Sequence, residues 1–414
     1  MKTPALLLAL AATLHAAPPE PKFRAVTIDD AIQIGYGVAV ADVDGDQWPD
    51  ILLADKKQFV WYRNPGAPAP NATPPAPASW DKFVLAENLT KNDNVCLAAQ
   101  DIDGDGKCEI AVGAEWNPGD TVNSGAVFYL IPPADRTQKW EPVKFPSVEP
   151  TTHRMKWIKL GEKEWGLAVC PLHGRGNKNG EGAPVKVLLY HKPANARDEW
   201  KSEIIDESMH MTHNFEIGDV SKFGVPNLLL SGREGIRSLL RTDAEGGDWQ
   251  PWHHNVSTSA TGEVSLSRSP GKMRVVAAIE PMHGNILSVY VQFMHQGKIP
   301  EGDLDQYDYI HRTLTDKLTE GHALASGDLL GVKSDQIVVG WRGTPGKEGS
   351  TFGVHLWTPL DPEGKDWRDS AVDDGGMACE DLVLADLNGD GKLDIVASGR
   401  ATHNVKVYFN ETQH

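Results

Sequence analysis

Seven repeats of a short apolar strand, a polar loop and further short strands predict an all-β fold, a seven-bladed β-propeller with four-stranded blades. Three observations carry that prediction: a recurring acidic loop, a recurring aromatic marker and a composition made for turns. Residues 41–54 read Ala-Asp-Val-Asp-Gly-Asp-Gln-Trp-Pro-Asp-Ile-Leu-Leu-Ala, and residues 100–113 and 385–398 repeat the pattern. Degenerate copies occupy residues 218–231 and 327–340, and two more, around 157–169 and 264–279, have lost the acidic loop. The lead residues Asp42, Asp101, Asp219, Asp328 and Asp386 stand one or two periods of roughly 57 residues apart. A Trp or Tyr opens the final apolar stretch of each unit, at Trp80, Trp140, Trp200, Trp249, Tyr307 and Trp367. With 40 Gly and 28 Pro, the composition suits many short strands better than long helices.

Taken in chain order, Lys2 precedes an apolar run over residues 5–14, and Ala16 and Ala17 follow it. This reads as a secretory signal peptide over residues 1–16, too short to span a bilayer. The expectation is an exported protein, periplasmic or extracellular, with residues 17–414 forming a single propeller domain. The last unit stops after three strands, and residues 23–28 are the simplest source of its fourth, which closes the ring and leaves no free edge. The proline-rich stretch 65–77 is then a loop inside the first unit. Cys96, Cys108, Cys170 and Cys379 lack zinc-site spacing, and in an oxidising compartment both disulfides and buried thiols stay open. A net charge of −17 argues against nucleic acid or anionic membrane as partners.

In the first loop the carboxylates of Asp42, Asp44, Asp46 and Asp50 fall at positions 1, 3, 5 and 9, and Gly45 permits the sharp turn. Ca²⁺ takes about six to eight oxygens, and this spacing wraps them around one ion. Asp101, Asp103, Asp105 and Glu109 repeat the arrangement, as do Asp386, Asn388, Asp390 and Asp394. These loops resemble the calcium loops of the FG-GAP and VCBS repeat families, and the resemblance implies structural Ca²⁺ that rigidifies the turns.

Six residues before each lead aspartate lies the start of an inner strand, where a side chain can point into the mouth of the central channel. Those positions are Tyr36, Val95, His213, His322 and Glu380, with His153 and Glu263 at the corresponding places in the degenerate units. Imidazoles and carboxylates converging on an axis, without thiolates, suit Zn²⁺, Mn²⁺, Fe²⁺ or Ni²⁺, and His153, His213, His322 and Glu380 are the candidate ligands. The turns between second and third strands share that face and carry Lys56, Glu115, His173, Arg233, His283, Arg342 and Arg400, so a cationic rim is expected.

The segments Thr-His-Arg-Met-Lys at 152–156, His-Asn-Phe-Glu at 213–216, Gly-Arg-Glu-Gly at 232–235, Met-His-Gly-Asn-Ile-Leu-Ser-Val-Tyr at 282–290 and Gly-His-Ala-Leu at 321–324 resemble the propeller domain of the fungal aldos-2-ulose dehydratases. That resemblance implies β-elimination on keto-sugars in a cleft with a metal ion at its bottom. The chain lacks the cupin and lectin-like domains of the fungal enzyme, so its later isomerase step is not implied. Elimination needs a base beside the metal, for which His283 or His173 is placed, and an acid for the leaving oxygen, for which Tyr36 or Glu263 is placed; Arg233 would orient the sugar. The expected function is a metal-dependent carbohydrate lyase or dehydratase. A polysaccharide lyase acting on uronate polymers, and a non-catalytic calcium-stabilised propeller that binds glycan or protein, are the alternatives.

Overall fold

The computed structural model describes residues 17–66, 79–218, 227–241, 249–251, 256–267, 275–294, 307–361 and 363–413. The expected signal peptide, most of the proline-rich loop and Asp219 lie outside the described residues.

The described residues form seven four-stranded antiparallel sheets and no helix. Blade one contains Gly37–Ala41, Asp50–Ala54, Gln58–Arg63 and Asp81–Glu87; blade two contains Cys96–Gln100, Glu109–Ala114, Ala126–Ile131 and Glu141–Lys144. Blade three runs Thr152–Lys159, Trp165–Pro171, Val187–His191 and Lys201–Asp206, and blade four Thr212–Gly218, Asn227–Gly232, Gly235–Arg241 and Trp249–Pro251. Blade five holds Val264–Leu266, Val275–Glu280, Ile286–Met294 and Tyr307–Thr315, and blade six Gly321–Gly327, Gln336–Trp341, Gly353–Pro359 and Trp367–Asp374. Blade seven takes Cys379–Ala385, Asp394–Gly399 and Asn404–Asn410 from the C-terminus and Phe23–Asp29 from the N-terminus. Each inner strand touches that of the next blade, and the seventh touches the first.

Second strands such as Asp50–Ala54 and Gln336–Trp341 are buried along their whole length. Alternation explains why their sequences are apolar without interruption. Ile51 and Leu53 pack against Val396 and Val407 of blade seven, while Leu52 and Ala54 face Ile110 and Val112 of blade two. Both faces of the sheet are interior, so neither set of alternating positions is free to be polar. Burying each such side chain stabilises the ring by roughly 1.5–3 kcal/mol. The four cysteines are all free thiols in these interblade cores, where burial raises their pKa, that of Cys96 to about 12.

The closing strand pairs with the C-terminal strand from Phe23 opposite Asn410 to Asp29 opposite Val405. Its ends are tied down: Arg24 meets Glu411 at 2.8 Å, and Asp29 accepts hydrogen bonds from Tyr62 and Lys82 of blade one, both at 2.7 Å. Asp373 makes the corresponding link from blade six to Tyr408 and Lys406 of blade seven, at 2.7 and 2.9 Å.

Deleting residues 21–28 removes the fourth strand of blade seven except its last residue, Asp29, which then has no strand to hold it against Tyr62 and Lys82. The melting temperature should fall by at least about 10 °C; a truncated protein that melts within a degree or two of the parent contradicts the clasp. Burial alone would raise the Asp373 carboxyl, but Lys406, Tyr408 and the Gly376 amide hold it below the usual carboxylate range. Its stabilisation is complete above the unfolded-state value of about pH 4 and is lost as pH falls through the lower folded-state value. Asp373→Asn should therefore lower the melting temperature at pH 7 and flatten its fall on acidification; melting curves between pH 2 and pH 7 check this, and an unchanged slope would refute it.

Candidate functional site

The inner-strand ladders are irregular at their upper ends. Pairing with the second strand shifts register between Thr152 and Arg154, Thr212 and Asn214, Gly321 and Ala323, and Cys379 and Asp381. The residue skipped in each case is His153, His213, His322 or Glu380. A β-bulge ejects one residue from the ladder and redirects its side chain, and here it does so at the same height in four blades. Tyr36, Val95 and Glu263 stand immediately before the inner strands of blades one, two and five. Below this ring runs the axial channel, about 470 Å³, lined among others by Arg154, Asn214, Glu263 and Asp381.

Three imidazoles meet at the mouth. One ring nitrogen each of His213, His283 and His322 lies within 4.8 Å of the others, and the Nε2 atoms of His213 and His283 are 2.7 Å apart. His283 reaches inward from the turn between the second and third strands of blade five, with its backbone in the left-handed region at φ 52°. Behind the cluster, His322 Nδ1–H donates to the Glu380 carbonyl at 2.7 Å, while His213 Nδ1 stands 2.9 Å from Glu263 Oε1 without the geometry of a hydrogen bond. The carbonyl behind His322 fixes the tautomer that turns its Nε2 lone pair toward the shared space, the arrangement found behind metal-bound histidines. Burial keeps the rings neutral, pushing His283 down to about 2 with help from His213 and Arg342, and lowering His213 and His322. Neutral imidazole is the form that ligates a metal, and this donor set fits a divalent transition ion.

The membership of this cluster differs from the sequence expectation. His153 is outside it, because its Nδ1–H donates to the His213 carbonyl at 2.6 Å and its Nε2 faces the Arg154 guanidinium at 3.1 Å. Its ring stacks on Trp116, centroids 5.0 Å apart. Glu380 is outside it as well: its two oxygens accept from Arg342 at 2.8 Å and Arg400 at 2.9 Å. His283, expected as an unbound base, is inside. Glu263, expected as an acid, is held ionised: burial would raise its carboxyl, but His213, Arg154 and Asn214 together lower it. His173 is buried in its turn with contacts to Thr151 and Met211 rather than to the three imidazoles. Arg233 is exposed on the rim and donates to the Asn179 carbonyl at 2.7 Å.

Tyr36 does sit at the mouth. Its hydroxyl donates to Asp93 at 3.2 Å, Arg400 lies over its ring at 5.4 Å, and burial beside Asp93 pushes its pKa up to about 12. At the rim Arg342 and Arg400 share Glu380, and Lys57 meets Asp93 at 3.5 Å. Glu320 also approaches Arg342, at 3.4 Å, from a left-handed backbone at φ 58°. Sequence reasoning passed over Glu320, Arg154, Asn214 and Asp93. Arg154 and Asn214 sit beside bulged histidines, and Glu320 lies two residues before one; without the bulge their faces cannot be assigned.

The acidic loops occupy the opposite ends of the strands. Asp42 Oδ1 accepts from the Gly45 amide at 2.7 Å and Asp101 Oδ1 from Gly104 at 2.7 Å. The ninth-position carboxylates are buried and fasten the loop to the sheet: Asp50 accepts from Val43 and Asn64, Glu109 from Ile102, and Asp394 from Leu387 and Asn410. Oxygens of Asp42, Asp44 and Asp50 converge within 4.8 Å, as do those of Asp101, Asp103 and Glu109. Burial, with repulsion from the neighbouring carboxylates, pushes Asp50 and Glu109 up to about 7 and Asp394 to about 6. Asp46, Asp105, Asn388 and Asp390 complete the rims, with Asp46 accepting from Trp48, Asp105 from Lys107, Asn388 from Asp390 and Asp390 from Lys392. Blade six shows the contrast. There Leu329 and Leu330 fill the loop interior and neutral Gln336 accepts from the Leu330 amide, so no cluster of like charge arises.

The profile of the aldos-2-ulose dehydratase β-propeller domain matches residues 124–293, from the third strand of blade two through the third strand of blade five. An FG-GAP-like repeat matches residues 42–112. The first match contains His153, His213, Glu263 and His283. No curated protein matches the chain by sequence. Among solved structures, a crystal structure of BBS1N in complex with ARL6DN, soaked with mercury, superposes with a TM-score of 0.52 at 11% identity, over 95% of this chain and 96% of that one. A lead-soaked crystal of the same complex gives 0.49 at 10% identity, over 95% and 96%. At such identity the likeness is one of fold.

Proposed function

We propose that this propeller is a carbohydrate lyase of the dehydratase type, eliminating an oxygen substituent from the carbon β to the carbonyl of a keto-sugar or oxidised glycoside. The observation that carries this reading is the convergence of His213, His283 and His322 at the channel mouth, two of them within the stretch similar to the dehydratase propeller.

His213, His283 and His322 would hold a divalent transition metal such as Zn²⁺ or Mn²⁺. Bound there, it supplies the positive charge that stabilises an enolate oxygen. The chain's own groups do the rest. Arg342, largely buried and 3.4 Å from His283, adds a fixed positive charge beside the substrate carbonyl, and Glu380 holds it against Arg400. Glu320, partly open to solvent, is the exposed carboxylate that meets Arg342 beside the imidazoles, and its Oε1 takes the proton from the carbon next to the carbonyl. Tyr36 stays protonated across the working range and gives its proton to the departing oxygen. On the opposite face, Ca²⁺ in the three acidic loops is proposed as scaffold, offsetting the burial and the added repulsion that raise Asp50, Glu109 and Asp394.

The test is metal analysis of the purified protein together with the ultraviolet absorbance of the unsaturated ketone formed from a keto-sugar. His213→Ala should lose metal and turnover together, whereas His153→Phe should keep the metal. Glu320→Gln should keep the metal and lose about 10²–10⁴-fold in rate. Metal retained in His213→Ala, or a parent that forms no chromophore from any keto-sugar or oxidised glycoside, would overturn the reading. For the scaffold sites, Asp103→Ala should lower the melting temperature in calcium and leave turnover intact at permissive temperature; a parent whose melting is indifferent to calcium and chelator would exclude them.

A further inference from the structure

A second cavity, of about 700 Å³, opens on the same upper face between blades five and six. Trp341, Trp357 and Phe352 form its apolar side, over the interblade core. His355 meets the Trp341 ring edge-on, centroids 4.9 Å apart, and its imidazole is held between two carboxylates, with Nδ1 2.7 Å from Asp369 Oδ1 and Nε2 2.9 Å from Asp374 Oδ1. The cavity adjoins the histidine cluster through two short steps of chain. Thr319 lines it while the next residue, Glu320, contacts Arg342; Trp341 lines it while Arg342 faces the cluster.

We propose that this cavity binds a neutral pyranoside ring, the sugar or aglycone-side unit of a glycoside whose oxidised ring lies at the histidine cluster. The proposal rests on the lyase reading and narrows its substrate. Trp341 and Trp357 are buried at the cavity floor, and half-exposed Phe352 offers the face that matches the C–H face of a pyranose. Each carboxylate spends one oxygen on His355, leaving Asp369 Oδ2 and Asp374 Oδ2 to accept from sugar hydroxyls. Burial would lower the His355 imidazole, but the two aspartates raise it above the ordinary histidine range. Its charge and that of Lys317 are then matched by Asp369 and Asp374, so the cavity holds no surplus positive charge for a uronate. A neutral, hydroxyl-rich ligand is what these groups select, which separates a keto-glycoside from a uronate polymer.

The experiment is ligand-detected NMR titration of the full chain with methyl β-glucopyranoside, and with trigalacturonate as the anionic comparison. Parent and His213→Ala should bind the glucoside alike, because the cavity does not depend on the metal ligands. Phe352→Ala and Asp369→Asn should each weaken it by about tenfold, one lost contact's worth. Failure of the parent to bind, binding as tight in both cavity variants as in the parent, or tighter binding of trigalacturonate would overturn the proposal. Glucoside binding that both cavity variants weaken, in a parent that turns over no keto-glycoside, would remove the lyase reading and leave the cavity as a sugar site.

Discussion

Every blade buries both of its faces against its neighbours, and the ring must therefore close. The second strands Asp50–Ala54, Glu109–Ala114 and Asp394–Gly399 are buried without interruption. Removing one contact exposes two apolar faces. Closure by the N-terminal strand meets that demand, and the Asp29 and Asp373 links anchor the two seams of the blade it completes. The same closure forces seven strand starts to converge on one axis, which is the geometric origin of the site.

Convergence alone does not make a metal centre. The bulges in blades three, four, six and seven lift His153, His213, His322 and Glu380 out of their ladders at one level. What each then does depends on its neighbours around the ring. His213 and His322 have an oxygen of Glu263 or Glu380 behind them and the other imidazoles of the cluster in front. Glu380 lies between the turns of blades six and seven and is neutralised by their arginines, while His153 is capped by the guanidinium next to it in sequence. Polar groups so deeply buried need partners, and the identity of the partner separates a ligand from a strut.

Much of this was legible in the sequence, because the distance from the acidic loop to the channel mouth is set by the strand. Counting six residues back from Asp42 or Asp328 lands on Tyr36 and His322 for that reason. The closing strand was legible too, from the count of strands in the last unit. Less visible was the entry of His283, which depends on a left-handed backbone within a short turn. Glu380 could not be read as a strut, since its partners Arg342 and Arg400 are 38 and 20 residues away and meet it only around the ring. Glu263 reads as an acid by residue type and becomes a carboxylate by environment, between His213, Arg154 and Asn214.

The central claim is that three imidazoles at the channel mouth form a metal centre. Anomalous diffraction from crystals of the protein as purified, collected on either side of a transition-metal absorption edge, tests it most directly. The account predicts an anomalous peak in contact with His213, His283 and His322, with His153 and Glu380 still on Arg154 and on the Arg342–Arg400 pair. Crystals whose metal peaks fall only in the acidic loops, with the three imidazoles hydrogen-bonded to one another, would contradict it.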